Sequence, residues 1–252
     1  MTKSMDDHLL EKIESVETVH WWWEGRRQLL KMLLVGKKYE KILDIGCGTG
    51  ETMTFLHKLY PKAQLYGIDS SAKAIKYVKS RLHKNVTLAS ATKLPFKDSF
   101  FDAVLFLDVL EHVQDDQKCI TEAKRVLKKG GSVIITAPAL SFIWSNYDIH
   151  QGHQRRYTRR RIRMLARHAD LKVHFVSYFN FLFSPPIIAI RILSRLKSLN
   201  YLSSYDNSIN LNIAKSSKIN SLLKKIFITE INGMKYINYP LGISVAAVLV
   251  KN

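Results

Sequence analysis

Up to about residue 35 the apolar positions fall at helical spacing. Leu9, Ile13, Val16, Leu29, Met32 and Leu33 recur at intervals that predict helix over 7–35. The pattern is interrupted at His20-Trp21-Trp22-Trp23-Glu24-Gly25-Arg26-Arg27. Three consecutive tryptophans cannot all face one core. Either at least one lines a cleft or a partner surface, or two cap the core and the third is incidental. From Lys41 the period changes. Apolar, β-rich runs at 42–45, 63–68, 86–89, 101–107, 132–137, 171–179 and 241–250 read as strands. Amphipathic stretches at 52–59, 71–82, 115–127 and 159–168 read as helices between them. Ser70 or Ser71 is expected to cap the second of these and Thr158 the fourth. Lys128-Lys129-Gly130-Gly131 is expected to stop the third. Strands alternating with helices predict an open α/β sheet.

The first strand runs into Asp44-Ile45-Gly46-Cys47-Gly48-Thr49-Gly50 and then into a helix. Glycines there let the backbone turn sharply and approach a ligand closely, and the helix start offers free N–H groups. A dinucleotide site wants G-x-G-x-x-G with a pyrophosphate on the helix. Here the glycines alternate, and Asp44 at the strand end would repel a pyrophosphate while suiting an ammonium group. Asp69 ends the second strand, where an acid accepts hydrogen bonds from ribose hydroxyls. The implied ligand has a ribose, an amino group and little phosphate. The end of the fourth strand carries Asp108, Glu111 and His112, on the side where such sheets place their clefts.

Composition narrows this further. The chain has 252 residues, 46% of them apolar, enough for one domain with a sizeable core. Its two cysteines, Cys47 and Cys119, make neither a disulfide framework nor a four-ligand zinc site. They suit a reducing compartment, and Cys47 reads as a small filler of the glycine loop rather than a nucleophile. The start of the chain is too polar for a signal peptide, and no run of eighteen apolar residues occurs. A cytoplasmic protein is expected, with attachment to the inner membrane face left open. The formal charge is +18. Between 151 and 229 stand fifteen lysines and arginines against two acids, Asp170 and Asp206. Such a surface favours a polyanion or a phosphorylated partner. The loop 139–153, with Trp144, Tyr147, His150 and His153, lies where acceptor pockets are built. Arginine forks at Arg155 and Arg156 suit a phosphate or carboxylate, or ion pairs with the protein's own acids. Residues 181–199 are apolar with a basic flank. They read as a lid for a hydrophobic substrate, a dimer face, a membrane-surface element or a buried helix. The Asn- and Ser-rich stretch 203–218 reads as loop, and 222–227 as a short helix.

Asp44, Gly46, Gly48, Gly50, Asp69, the segment 91–96 with Leu94-Pro95-Phe96, and the run Asp108 to Val113 with Leu-Glu-His-Val resemble the class I S-adenosylmethionine-dependent methyltransferases, in particular the small-molecule type 11/12 group. The resemblance implies a seven-stranded, doubly wound, mostly parallel Rossmann-like sheet as one domain, 1–252. Residues 1–38 would form a helical cap over the cofactor and 180–238 a helical insertion before an antiparallel last strand. It implies S-adenosyl-L-methionine as cofactor, bound by Asp44, Gly46, Cys47, Gly48, Gly50, Asp69, Ser70, Ser90, Ala91, Thr92, Leu107, Asp108 and His112. Ser90 stands where the family often has an aspartate for the adenine amino group. The acceptor side would use Trp21, Trp22, Trp23, Arg26, Trp144, Tyr147, Arg155, Arg156 and Tyr157. Gly152 to Tyr157 resembles a Gly-His-x-Arg-Arg-Tyr signature of a subgroup linked to surface-glycan or lipid biosynthesis. Candidate bases for deprotonating the acceptor are His150 first, then His153 and His20, with Glu111 behind them. No cluster shows metal-ligand spacing in the sequence, so no metal is expected. The expected acceptor is small or lipid-linked. An RNA methyltransferase using 151–229 is the alternative, although no Asn-Pro-Pro-Tyr tetrapeptide follows the fourth strand. A cofactor-binding scaffold without chemistry is the third.

Overall fold

The strands are β1 Lys41–Ile45, β2 Gln64–Asp69, β3 Val86–Leu88, β4 Phe101–Leu107, β5 Leu127–Pro138, β6 Lys172–Phe179 and β7 Ser244–Val250. In the computed structural model, which describes residues 7–81, 83–193 and 217–252, they form one sheet in the order β3-β2-β1-β4-β5-β7-β6. β1 pairs in parallel with β2 and β4, and β7 lies antiparallel between β5 and β6. The helices are α1 Asp7–Val16, α2 Trp21–Leu34, α3 Glu51–Leu59, α4 Ala72–Ser80, α5 Asp116–Val126, α6 Asn146–His150, α7 Arg159–His168, α8 Ser184–Leu193 and α9 Ser217–Gly233. The central strands are apolar at successive positions because helices cover both faces, as a parallel sheet requires. One face buries Leu43, Val104, Phe106 and Ile135. The other buries Ile42, Ala103, Leu105 and Ile134.

Four expectations shift. The tryptophan run does not break a helix; it begins α2, with buried His20 as N-cap, its Nδ1 accepting the Trp22 N–H at 3.1 Å. The lysine-glycine run 128–131 does not stop α5. That helix ends at Val126, and Leu127 is already extended at the start of β5. The loop 139–153 contains a short 3₁₀ turn, Ser141–Ile143, and then α6. The expected short helix 222–227 is the middle of the 17-residue α9. The apolar positions expected at 196 and 199, and most of the stretch 203–218, lie outside the described residues.

The cap and the insertion share a third core. Trp21, Leu29, Phe179, Phe227, Ile231 and Met234 are buried together, with Trp22 and Phe183 packed against them. Trp22 stacks on Phe227 with ring centroids 5.4 Å apart. Gly25 is needed in this contact: a Cβ there would come within 2.1 Å of the Phe227 ring. Trp21 and Trp22 therefore serve packing, and Trp23 sits edge-on to His20 at 5.0 Å. Two tryptophans in the core matches the second of the two sequence readings. Among the described residues no helix is long and apolar enough to cross a membrane.

Truncating Phe227 to Ala leaves a void between α2 and α9. Urea denaturation is expected to show a loss of about 3–5 kcal/mol.

Candidate active site

The carboxyl ends of β1, β2 and β4 form the candidate site, and each carries an acid: Asp44 one residue before the end of β1, Asp69 at the end of β2 and Asp108 just after β4. Asp44 is buried, and its Oδ2 has no hydrogen-bond partner. Burial raises its pKa to about 7, with Arg26 opposing and Asp69 adding to the shift. A desolvated, unpartnered carboxylate is a place where a cation gains most. The glycine loop folds back onto β2: Gly46 and Cys47 N–H groups donate to the Ile68 carbonyl at 2.8 and 3.0 Å. Gly46 and Gly50 have positive φ, and a Cβ on Gly46 would meet Val109 at 2.6 Å. Cys47 is buried, and burial pushes its thiol pKa up, as expected of a filler rather than a nucleophile.

Asp69 holds the loop as well as facing the cleft. Its Oδ2 accepts from Gly48 N at 3.0 Å and its Oδ1 from Ser71 N at 2.8 Å. Ser70 is exposed beside it, and Ser71, the N-cap, starts α4. Ser90 is exposed and hydrogen-bonded to Thr92 through the two hydroxyls at 2.9 Å. Ala91 is half-buried between them. Arg125 braces the following segment, donating to the Leu94 and Phe96 carbonyls at 3.0 and 2.8 Å. An unpartnered acid for an ammonium, a second acid with spare lone pairs for ribose hydroxyls and an open glycine loop fit the donors of S-adenosylmethionine.

Leu107 ends β4 and Asp108 follows it. Asp108 has φ +58°, a costly conformation for a residue other than glycine. It pairs with Arg26 of the cap, Nη2 to Oδ2 at 3.0 Å. Arg26 thereby draws α2 over the cleft. A second tie joins cap and loop. Thr49 Oγ1 donates to the Glu17 carboxylate at 2.6–2.7 Å, and Arg81 binds both Glu17, at 2.8 Å, and Glu51, at 2.6 Å. Burial raises the Glu17 pKa to about 7, with the Thr49 bond and Arg81 opposing. Neither Glu17 nor Thr49 stands out in the sequence, since contact between them depends on how α1 meets the sheet.

The acceptor side is organised by Asp148, which is fully buried. Burial works to raise its pKa, but bonds from His153, Arg156 and Ser145 outweigh this and hold it at about 2. Its Oδ1 takes Arg156 Nη2 at 2.7 Å and His153 Nδ1 at 2.9 Å. Its Oδ2 takes Arg191 Nη1 of α8 at 3.1 Å. Arg191 also donates to Ser145 Oγ at 2.8 Å and stacks on Tyr147 at 4.8 Å. The insertion is thus pinned to the acceptor loop.

Several assigned roles change. Arg155 donates to the Val113 and Gln114 carbonyls, both at 2.7 Å. Arg156 is buried against Asp148 and the Ala139 carbonyl, and Tyr157 is buried with its hydroxyl donating to Asp116 at 3.0 Å. These three brace the loop from inside instead of facing an acceptor. Arg161 also pairs with Asp116, at 2.8 Å, so part of the basic surface is internal. His20 is a buried helix cap, not a base. His150 is exposed at the end of α6, and the imidazole brought to the cleft is His153. It lies edge-on to His112, 4.9 Å between centroids, with Tyr147 6.5 Å away. Burial first, then His153, lowers the His112 pKa to about 4. Burial first, then Asp108, pushes the Glu111 pKa well above the usual carboxylate range. Trp144 is half-buried after the 3₁₀ turn.

Residues 43–135 match the family model described as "Methyltransferase domain". The chain is 36% identical over 130 residues to the ubiquinone/menaquinone biosynthesis C-methyltransferase UbiE of Desulfotalea psychrophila, covering 48% of this chain and 53% of that one. It spans about half the length of the curated relatives it matches first. Among solved structures, 91% of it superposes on phosphoethanolamine N-methyltransferase 2 of Haemonchus contortus in complex with S-adenosyl-L-methionine. The TM-score is 0.60, the identity 21% and the coverage of that chain 52%. A further 0.61, at 17% identity over 92% of this chain and 80% of the other, relates it to geranyl diphosphate C-methyltransferase of Streptomyces coelicolor with Mg2+, geranyl diphosphate and S-adenosyl-L-homocysteine. At such identities the structural likeness shows the fold.

Asp44 gives a pH signature. Its pKa is raised on folding from 3.8 to about 7, so the folded state binds the extra proton. The stability it contributes is present below the unfolded value and is lost as pH rises through about 7. Urea midpoints of the ligand-free chain should fall between pH 4 and 7, and Asp44→Asn should remove on the order of 4 kcal/mol of that fall.

Proposed function

This chain carries a class I S-adenosylmethionine-dependent methyltransferase domain, and from that premise we propose that it methylates a hydroxyl, amine or carboxylate of a small or lipid-linked acceptor. The observation that carries the cofactor half is buried, unpartnered Asp44 beside a glycine loop held by Asp69. The cofactor supplies an electrophilic methyl on sulfur. Asp44 would hold its ammonium, Asp69 its ribose hydroxyls, and the Ser90–Thr92 turn its adenine. Arg26 and α2 close over the cleft and exclude water, and alignment of donor and acceptor supplies much of the rate.

The acceptor enters between the loop 139–157 and α8. The acceptor atom would be held in line with the methyl that the bound cofactor supplies. The proton of a hydroxyl or amine acceptor passes to the cluster of Glu111, His112 and His153, and a carboxylate acceptor has none to give. Exposed Leu182, Ile190 and Ile192 flank Arg191 and suit a hydrophobic acceptor, in keeping with a protein working beside the inner membrane face. Similar proteins named for ubiquinone/menaquinone biosynthesis and for geranyl diphosphate support that class of acceptor. The arginines that favoured RNA are partly spent on Asp116 and Asp148.

Labelled S-adenosylmethionine incubated with the chain and a cell extract should transfer its methyl to the small-molecule or lipid fraction. Label confined to RNA or protein would overturn the proposal. Calorimetry should show Asp69→Asn weakening donor binding about ten-fold, the loss of roughly one charge-assisted bond.

A further inference from the structure

Glu111, His112 and His153 are separated by up to forty-two positions in sequence and meet where the 3₁₀ turn Leu110–His112 faces the turn after α6. One ligand atom of each lies within 4.8 Å of the other two. Glu111 is 1% exposed, and its Oε2 has no hydrogen-bond partner. His153 is fixed from behind, its Nδ1 2.9 Å from Asp148 Oδ1, and the His112 ring lies edge-on to it with 4.9 Å between centroids. One nitrogen of His153 is thus committed to an oxygen, and the second is the one available to an ion. A carboxylate oxygen behind an imidazole is the arrangement that orients histidine ligands around metals.

We infer that Glu111, His112 and His153 form a binding site for a divalent transition-metal ion, held by one carboxylate and two imidazoles with open positions toward the acceptor cleft. Two nitrogens and one oxygen suit zinc, cobalt, manganese or iron(II) better than magnesium or calcium, which take oxygen ligands. An ion holding nitrogen at about 2.0–2.1 Å would draw the three side chains inward from their present spacing. The ion would satisfy the unpartnered Glu111 oxygen. With the ion bound, these side chains no longer take the acceptor's proton themselves; the ion would instead hold an acceptor hydroxyl or phosphate oxygen and lower the pKa of a coordinated hydroxyl. This last role rests on the methyl-transfer reading; the binding site itself does not.

The test titrates the full-length, chelator-treated chain with Co2+, followed by its visible absorption, and then with Zn2+ and Mg2+ by calorimetry. One equivalent of Co2+ should bind, displaced by Zn2+ and not by Mg2+. His153→Ala and Glu111→Gln should each weaken binding about ten-fold or more, while His168→Gln should leave it unchanged. If either variant misfolds by circular dichroism, Co2+-shifted imidazole proton resonances in the wild-type chain give the same answer without substitution. Absence of saturable Co2+ and Zn2+ binding by the folded chain, or resonances from other histidines, overturns the site. A chain that binds the ion yet labels no extract keeps the site and overturns the methyl-transfer reading.

Discussion

Four carboxylates crowd the carboxyl ends of three neighbouring strands, and the rest of the site depends on how their charge is met. Asp44 and Glu111 each hold a buried oxygen without a partner. Asp69 is satisfied by the backbone of the glycine loop and the start of α4. Asp108 is met by Arg26, which comes from the cap and not from the sheet. Charge buried without compensation costs several kcal/mol. The arrangement is stable with protons on some of these groups, and it is better satisfied with a cation among them. That explains why a helix whose apolar face packs on α9 also sends an arginine across the cleft. The cap is drawn toward the same place a cationic cofactor would go.

Asp148 plays a corresponding part on the acceptor side, with the opposite outcome. It is as deeply buried as Asp44, yet it is surrounded by donors from three segments: Ser145, the pair His153 and Arg156, and Arg191. Breaking one partner of such a network leaves the others desolvated, so the network fixes one geometry. The loop after β5, the turn carrying His153 and the first helix of the insertion are thereby set relative to one another. Tyr147, under the Arg191 guanidinium, inherits its position from that carboxylate.

The sheet and the cofactor half were legible in the sequence because their signals are local. Strand, glycine loop and helix follow one another between Lys41 and Leu59, and Asp44, Asp69 and Asp108 stand at or next to the ends of their strands. The acceptor half was not, because its groups meet through tertiary contacts. For Arg155 and Arg156 the sequence leaves an anion clamp and ion pairs with the protein's own acids equally open, and the packing of the loop against α5 and Asp148 decides for the second. His150 and His153 are three apart; the turn after α6 leaves one outside and carries the other to His112. Glu17 reaches Thr49 across thirty-two positions. The pattern around the tryptophans gave the packing choice but not the partner, since Phe227 lies two hundred residues away.

Calorimetric titration of the chain with S-adenosylmethionine near pH 7, repeated in two buffers of different ionisation enthalpy, tests the central claim most directly. If the ammonium group settles against Asp44, binding expels part of a proton from a carboxyl whose pKa lies at about 7. The two buffers then report different heats, and Asp44→Asn abolishes the difference. Saturable binding with equal heats in both buffers would contradict the account, because the buried charge would then have no part in holding the cofactor.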